Sequence, residues 1–108
     1  MQAELRIDSL DEAPLHAAAE FHRDWLGRAR AAIEPPEAQA LAIMLPAAGK
    51  DHDDWRRAIA RDLARAYAPR RVNILGGGNA AAIAAMLAYL RDAPGITGQY
   101  LPLHDEGT

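Results

Sequence analysis

Two short apolar runs leave this chain few architectures. Leu41-Ala42-Ile43-Met44-Leu45 has no polar residue on either face, and Val72-Asn73-Ile74-Leu75 is nearly as apolar. A strand of that kind needs cover on both sides of its sheet, which is the signature of a buried parallel strand. The first run is bounded by Pro46 and Gly49, the second by Gly76-Gly77-Gly78. The segments around and between them carry helical periodicity instead. Leu15, Ala18, His22, Trp25, Leu26, Ala29 and Ile33 predict a helix over 14–33. Trp55, Ile59, Leu63 and Tyr67, at four-residue steps, predict a second helix over 51–68. Ile83, Leu87 and Leu90 mark the apolar face of a third, over 80–90.

The punctuation agrees with this reading. Asp11 and Pro14 suit a helix start, and Pro35-Pro36 stops the first helix because neither proline donates a backbone hydrogen bond. Asp51, Asp53 and Asp54 favour the start of the second helix, and Ala68-Pro69 ends it. Asn79 is placed to cap the third, and Asp92-Ala93-Pro94-Gly95 breaks it. Weaker strands are expected at 3–7 and 98–103. Alternation of this kind predicts an α/β fold, a Rossmann-like partial domain in two or three layers. It has a three- or four-stranded parallel sheet, three main helices and right-handed crossovers, with residues 1–108 forming a single domain. Strands apolar on both faces, with only three helices to cover them, also predict that another surface is needed for shielding.

Composition excludes several functions. The formal charge of −3 argues against a nucleic-acid binder, which needs a basic surface to neutralise phosphates. The absence of cysteine removes disulfides, thiolate nucleophiles and cysteine-bound zinc. With no basic, apolar leader pattern and no span long enough for a bilayer, the expectation is a cytoplasmic protein with no membrane partner. Much of the apolar content is alanine, so Phe21, Trp25, Trp55, Tyr67, Tyr89 and Tyr100 are expected to anchor a thin core.

The strongest chemical motif is Gly76-x-Gly78-x-x-Ala81, a glycine turn between an apolar strand and a helix, as in dinucleotide-binding fingerprints. Gly76, Gly77, Gly78 and Asn79 are therefore the candidate cofactor-binding residues, with Asp105 or Glu106 as the later ribose-binding acid. A plain glycine turn explains the same residues. His16, His22, His52 and His104 do not pair at metal-ligand spacing, so no metal site is expected, and His22 is expected to be partly buried on the first helix's stripe. Asp51-His52-Asp53-Asp54 reads as helix-start charge, and Arg57, Arg61 and Arg65 as a solvated stripe. Ser9, the sole serine, does not sit at a strand-to-helix elbow, so nucleophilic hydrolysis is not expected.

Three stretches together resemble the second half of the short-chain dehydrogenase/reductase family. Residues 41–49 resemble its fifth strand and the turn after it. Asp62-Leu63-Ala64-Arg65-Ala66-Tyr67-Ala68-Pro69-Arg70-Arg71-Val72-Asn73 resembles the end of its long helix running through a short Ala-Pro-Arg turn into a "Val-Asn" strand. Residues 83–103 resemble its closing helix, with Ile96-Thr97-Gly98-Gln99 leading into the last strand. The resemblance implies a catalytic serine at the position of Pro46 and a Tyr-x-x-x-Lys pair at about Gly49 and Asp53. None of these three residues can perform those roles. The family's glycine-rich cofactor turn has no counterpart after the first predicted strand. The resemblance thus implies a truncated, non-catalytic relative with no cofactor, whose role is association. It further implies a homodimer or higher oligomer through the helices at 14–33 and 51–68, with Phe21, Trp25, Trp55 or Tyr67 at the seam. The alternative is a nucleotide- or anion-binding protein that holds NAD or NADP at the Gly76-Gly77-Gly78 turn.

Overall fold

A computed structural model describes residues 1–104. The chain runs β1 (Gln2–Arg6), α1 (Pro14–Glu20), a wide π turn (Phe21–Trp25), α2 (Leu26–Ile33), β2 (Ala40–Leu45), a 3-10 turn (Lys50–His52) and α3 (Asp53–Tyr67). It closes with β3 (Arg71–Gly76), α4 (Ala80–Arg91) and β4 (Tyr100–Pro102). The four strands pair in parallel in the order β1-β2-β3-β4. This is a partial Rossmann-like α/β domain, as the alternation of apolar runs and helical stripes predicted.

The pleat of β2 explains why both its faces are apolar. Leu41, Ile43 and Leu45 join Val72 and Ile74 of β3 in one core layer, packed by Phe21, Ala29 and Ile33 and by Ile59 and Leu63 of α3. Ala42 and Met44 point the other way with Leu75, where Leu87 and Leu90 of α4 cover them. Every residue of β2 is consequently buried. The sheet is thus the middle of three layers, and the chain's own helices cover both faces, which corrects the expectation that an outside surface must do so. β1 and β4 are the edge strands, and on β1 Glu4 and Arg6 are exposed and keep the strand polar.

The expectation of uniformly right-handed crossovers also needs correction. The chain steps across the sheet in one direction throughout, yet α1, α2 and α3 lie on one face and α4 on the other. The β3-α4-β4 connection therefore has the opposite hand to the two before it, against a strong general preference. Had α4 joined the other helices, Ala42, Met44 and Leu75 would have faced water. Polar ties hold it in place: Arg71 Nη1 donates to Leu90 O at 2.7 Å and Ala93 O at 3.1 Å, and Gln2 Nε2 donates to Leu87 O at 3.1 Å.

The long first helix departs from its predicted face. Ala17, Phe21, Ala29 and Ile33 are the buried positions, while Leu15 is 84% exposed and His22 is exposed. With the half-buried Trp25 these residues are spaced by four, which overruns an ideal turn of 3.6 residues by about 40° each time. The π turn at Phe21–Trp25 winds more slowly and absorbs that drift, keeping one stripe on the sheet. His22 is displaced to the surface, where Nδ1 lies 2.8 Å from Ala18 O, and the expectation of partial burial fails for it. Across the bundle, Arg70 donates to the carbonyls of Ile33 and Glu34, tying the turn after α3 to the end of α2.

Candidate functional site

In an open parallel sheet, ligands bind beyond the carboxyl ends of the strands. Here that edge is formed by the chain after β1, the turn after β2 and the glycine turn after β3. A cavity of about 220 Å³ lies there, lined by Leu10, Asp11 and Glu12 from the first turn, Pro46 to Gly49 from the second, and Asp51, His52 and Arg56 at the start of α3. Pro46 and Gly49, where the resemblance implied a serine and a tyrosine, both line it. Asp53, at the implied lysine position, is the first residue of α3 and pairs with Arg57 at 3.7 Å. The cavity wall thus carries the acidic residues Asp11, Glu12 and Asp51, and has no side chain at Gly49, where a tyrosine was implied.

Two buried polar side chains dominate this edge, and their roles differ. His52 is fully committed: Nε2 donates to Glu12 O at 2.9 Å, and Nδ1 accepts from Trp55 Nε1 at 3.1 Å. A carbonyl only accepts, so the ring is the Nε2–H tautomer and serves as a tie between the loop before α1 and the start of α3. Arg56, in contrast, is 1% exposed and donates from Nη1 to Tyr100 Oη at 3.0 Å, while its Nε–H has no acceptor. Residue type alone does not single out Arg56, because arginine is ordinarily solvated. The signal was there: Arg56 shares a helix face with Ala60, Leu63 and Ala64, all buried, whereas Arg57, Arg61 and Arg65 lie on the exposed face as expected.

The glycine turn is shaped by packing. At Gly76 a Cβ would stand 2.3 Å from Tyr100 Oη, so glycine admits the phenol that receives the Arg56 bond. Gly77 and Gly78 have φ of 68° and 87°, a region L-residues avoid. A Cβ on Gly78 would meet Leu103 Cβ at 2.9 Å. The Gly77 N–H donates to Leu45 O at 3.0 Å, and Asn79 Oδ1 caps α4 by accepting from Ala82 N–H at 2.9 Å. Gly76, Gly77, Gly78 and Asn79 form the turn at the head of α4. Asp105 and Glu106 lie outside the described residues.

The two motifs that carried the resemblance meet each other in space. Asn73 is buried in β3, where Nδ2 donates to Ile96 O at 3.0 Å and Oδ1 accepts from Gln99 N–H at 3.1 Å. Thr97 Oγ1 accepts from Val72 N–H at 3.0 Å, and Gly98 N–H donates to Val72 O at 2.8 Å. Gly98 has φ of 73° and brings this bend against Ala64 of α3. Val-Asn and Ile-Thr-Gly-Gln are thus two halves of one lock that sets the register of β4.

A second concavity, about 500 Å³, runs between α2 and α3. Leu26, Ile59, Leu63 and Ala66 supply its apolar floor, and His22, Arg30, Glu34, Asp62 and Tyr67 its rim. Arg30 Nε donates to Tyr67 Oη at 2.9 Å, and Tyr67 Oη donates to Glu34 Oε2 at 3.1 Å, closing one end. The Tyr67 hydrogen bond raises the Arg30 pKa above its ordinary value. On the preceding turn Arg23 grips both Asp24 oxygens at 2.9 and 2.8 Å, which holds that carboxyl below the usual range and raises the guanidinium. Phe21 is fully buried, so it cannot take part in a seam between molecules, as the sequence had allowed. Trp25, Trp55 and Tyr67 are half-buried and remain at the surface.

Among the described residues no cluster of three or more histidine or acidic side chains is arranged to hold a metal, and no helix is long and apolar enough to cross a membrane. A family model described as SDR-like, short chain dehydrogenase-like protein, matches residues 5–103. No curated protein and no solved structure matches the chain.

Proposed function

Since this chain belongs to the short chain dehydrogenase-like family, we propose that it is a non-catalytic member of it, working in the cytoplasm as a module that associates with a second copy of itself. One observation carries the reading. Pro46, Gly49 and Asp53 stand where the resemblance places serine, tyrosine and lysine, so the edge lacks that set for moving a proton to or from a substrate oxygen. The residues also fit a nicotinamide dinucleotide poorly. The cavity of about 220 Å³ is smaller than sites for drug-sized ligands, about 300–1,000 Å³. Its wall carries Asp11, Glu12 and Asp51, which repel a pyrophosphate, and Leu103 packs against Gly78 in the turn that would have to cradle one.

Association is supported by the groove between α2 and α3. Its floor is apolar and its rim carries both signs, Arg30 beside Glu34 and Asp62, the mixed edge around an apolar centre that a self-complementary contact uses. Purified protein tests both halves of the reading. Light scattering should return a multiple of the 11.7 kDa chain. Thermal melting should be unmoved by NAD(H) or NADP(H). A saturable stabilisation by either nucleotide, abolished in Gly78→Val, would replace this reading with the cofactor-binding one.

A further inference from the structure

Arg56 heads the fully buried side chains by size, and its charge has no counter-ion: among the described residues it pairs with no carboxylate, its Nε–H is without an acceptor, and its one hydrogen bond goes to a neutral phenol. Burying a cation this way is unfavourable, and a methionine or leucine would fill similar space without that cost. The rings of Trp55 and Tyr100, 5.5 and 5.6 Å from the guanidinium carbon, offset only part of it. The same side chain lines the cavity at the carboxyl edge of the sheet.

We propose that this cavity binds a small monocarboxylate, with the Arg56 guanidinium as its anchor. Three features select that chemistry. The planar fork of a guanidinium matches the two oxygens of a carboxylate. The volume of about 220 Å³ suits a ligand of a few heavy atoms, walled by Pro46, Ala47, Ala48 and Gly49. Asp11, Glu12 and Asp51 around the same space oppose any anion, and a doubly charged one about twice as strongly as a singly charged one, so the one guanidinium can offset them only for a monoanion and phosphate dianion or a dicarboxylate is disfavoured. His52 adds no competing charge, since both ring nitrogens are already engaged as a neutral imidazole. The proposal goes beyond self-association and does not depend on it.

The test uses the full chain with nitrogen-15 label. Arginine Nε–Hε correlations are followed by NMR during titration with sodium acetate, and in parallel with sodium chloride and sodium phosphate at equal ionic strength. One Nε–Hε resonance should shift and saturate with acetate in the millimolar range, and at least about tenfold more chloride or phosphate should be needed for the same shift. Arg56→Lys keeps the charge but not the fork, and should weaken acetate binding by about tenfold or more. Arg56→Met should melt at or above the wild type in chloride buffer and lose its response to acetate. The proposal is overturned if acetate gives no saturable shift, if phosphate or chloride does as well, or if the lysine variant binds equally. It is also overturned if the methionine variant melts well below wild type in every anion, because the guanidinium would then be a structural element.

Discussion

Replacing Gly76 with alanine adds one methyl at the most crowded point of the sheet. Gly76 is not among the glycines with positive φ, so the substitution carries no backbone strain, and the whole effect comes from contact. The new Cβ would stand 2.3 Å from Tyr100 Oη and 2.9 and 3.0 Å from Cε1 and Cζ. The phenol must swing away, and with it goes the bond from buried Arg56. Overpacking costs about 1–3 kcal/mol. A hydrogen bond to a charged group is worth about 1.5–3 kcal/mol. The stiffer unfolded chain returns about 0.4–1 kcal/mol. The terms overlap, so the expected net loss is about 2–4 kcal/mol, or a fall in Tm of about 10–20 °C. Urea unfolding followed by circular dichroism measures it. In a Tyr100→Phe background the nearest clashing atom is gone, and the cost of Gly76→Ala should shrink by about 1 kcal/mol, a coupling expected of neighbours. A Gly76→Ala protein within about 0.5 kcal/mol of wild type would refute the packing account of this glycine.

Other perturbations test separate joints. Phe21→Ala empties the fully buried position at the π turn, beside the Trp55 ring 5.9 Å away, and should cost about 3–5 kcal/mol by chemical denaturation. Asn79→Ala removes the side-chain cap on Ala82 N–H and should cost about 1 kcal/mol in the same assay. Asp24 titrates below its ordinary value of 3.8 in the folded chain because Arg23 bonds to it. The unfolded state therefore takes up the proton first, and this pair's contribution is present at neutral pH and lost as pH falls through the folded value. The pair is exposed and screened, so the effect is small. Melting curves of wild type and Asp24→Asn should differ at neutral pH and converge in strong acid.

Much of the architecture was legible because it follows from burial on two faces. The residues of β2 and β3 read correctly, since an apolar run too short for a helix has little else to be. Asn79 was readable as a cap for the same local reason. What escaped notice depends on tertiary geometry. The four-residue spacing from Ala17 to Ile33 was present in the chain, but reading it as an ideal helix put Leu15 and His22 on the wrong face. Only the sheet beneath forces a π turn. The side of the sheet that α4 covers, and hence the hand of its connection, is decided by which face the other helices leave bare. Arg56 was hidden by its type, because composition rules place arginine outside. The glycine turn was visible, but the phenol and the leucine that shape it arrive from β4 and the segment after it, more than twenty positions along the chain.

Self-association in place of dehydrogenase chemistry is most directly tested by sedimentation equilibrium over a range of protein concentrations. The account predicts a mass of twice the 11.7 kDa chain, reduced toward the single-chain value by Ala66→Arg in the floor of the groove between α2 and α3. A wild-type protein that stays at the mass of one chain at every concentration would contradict it.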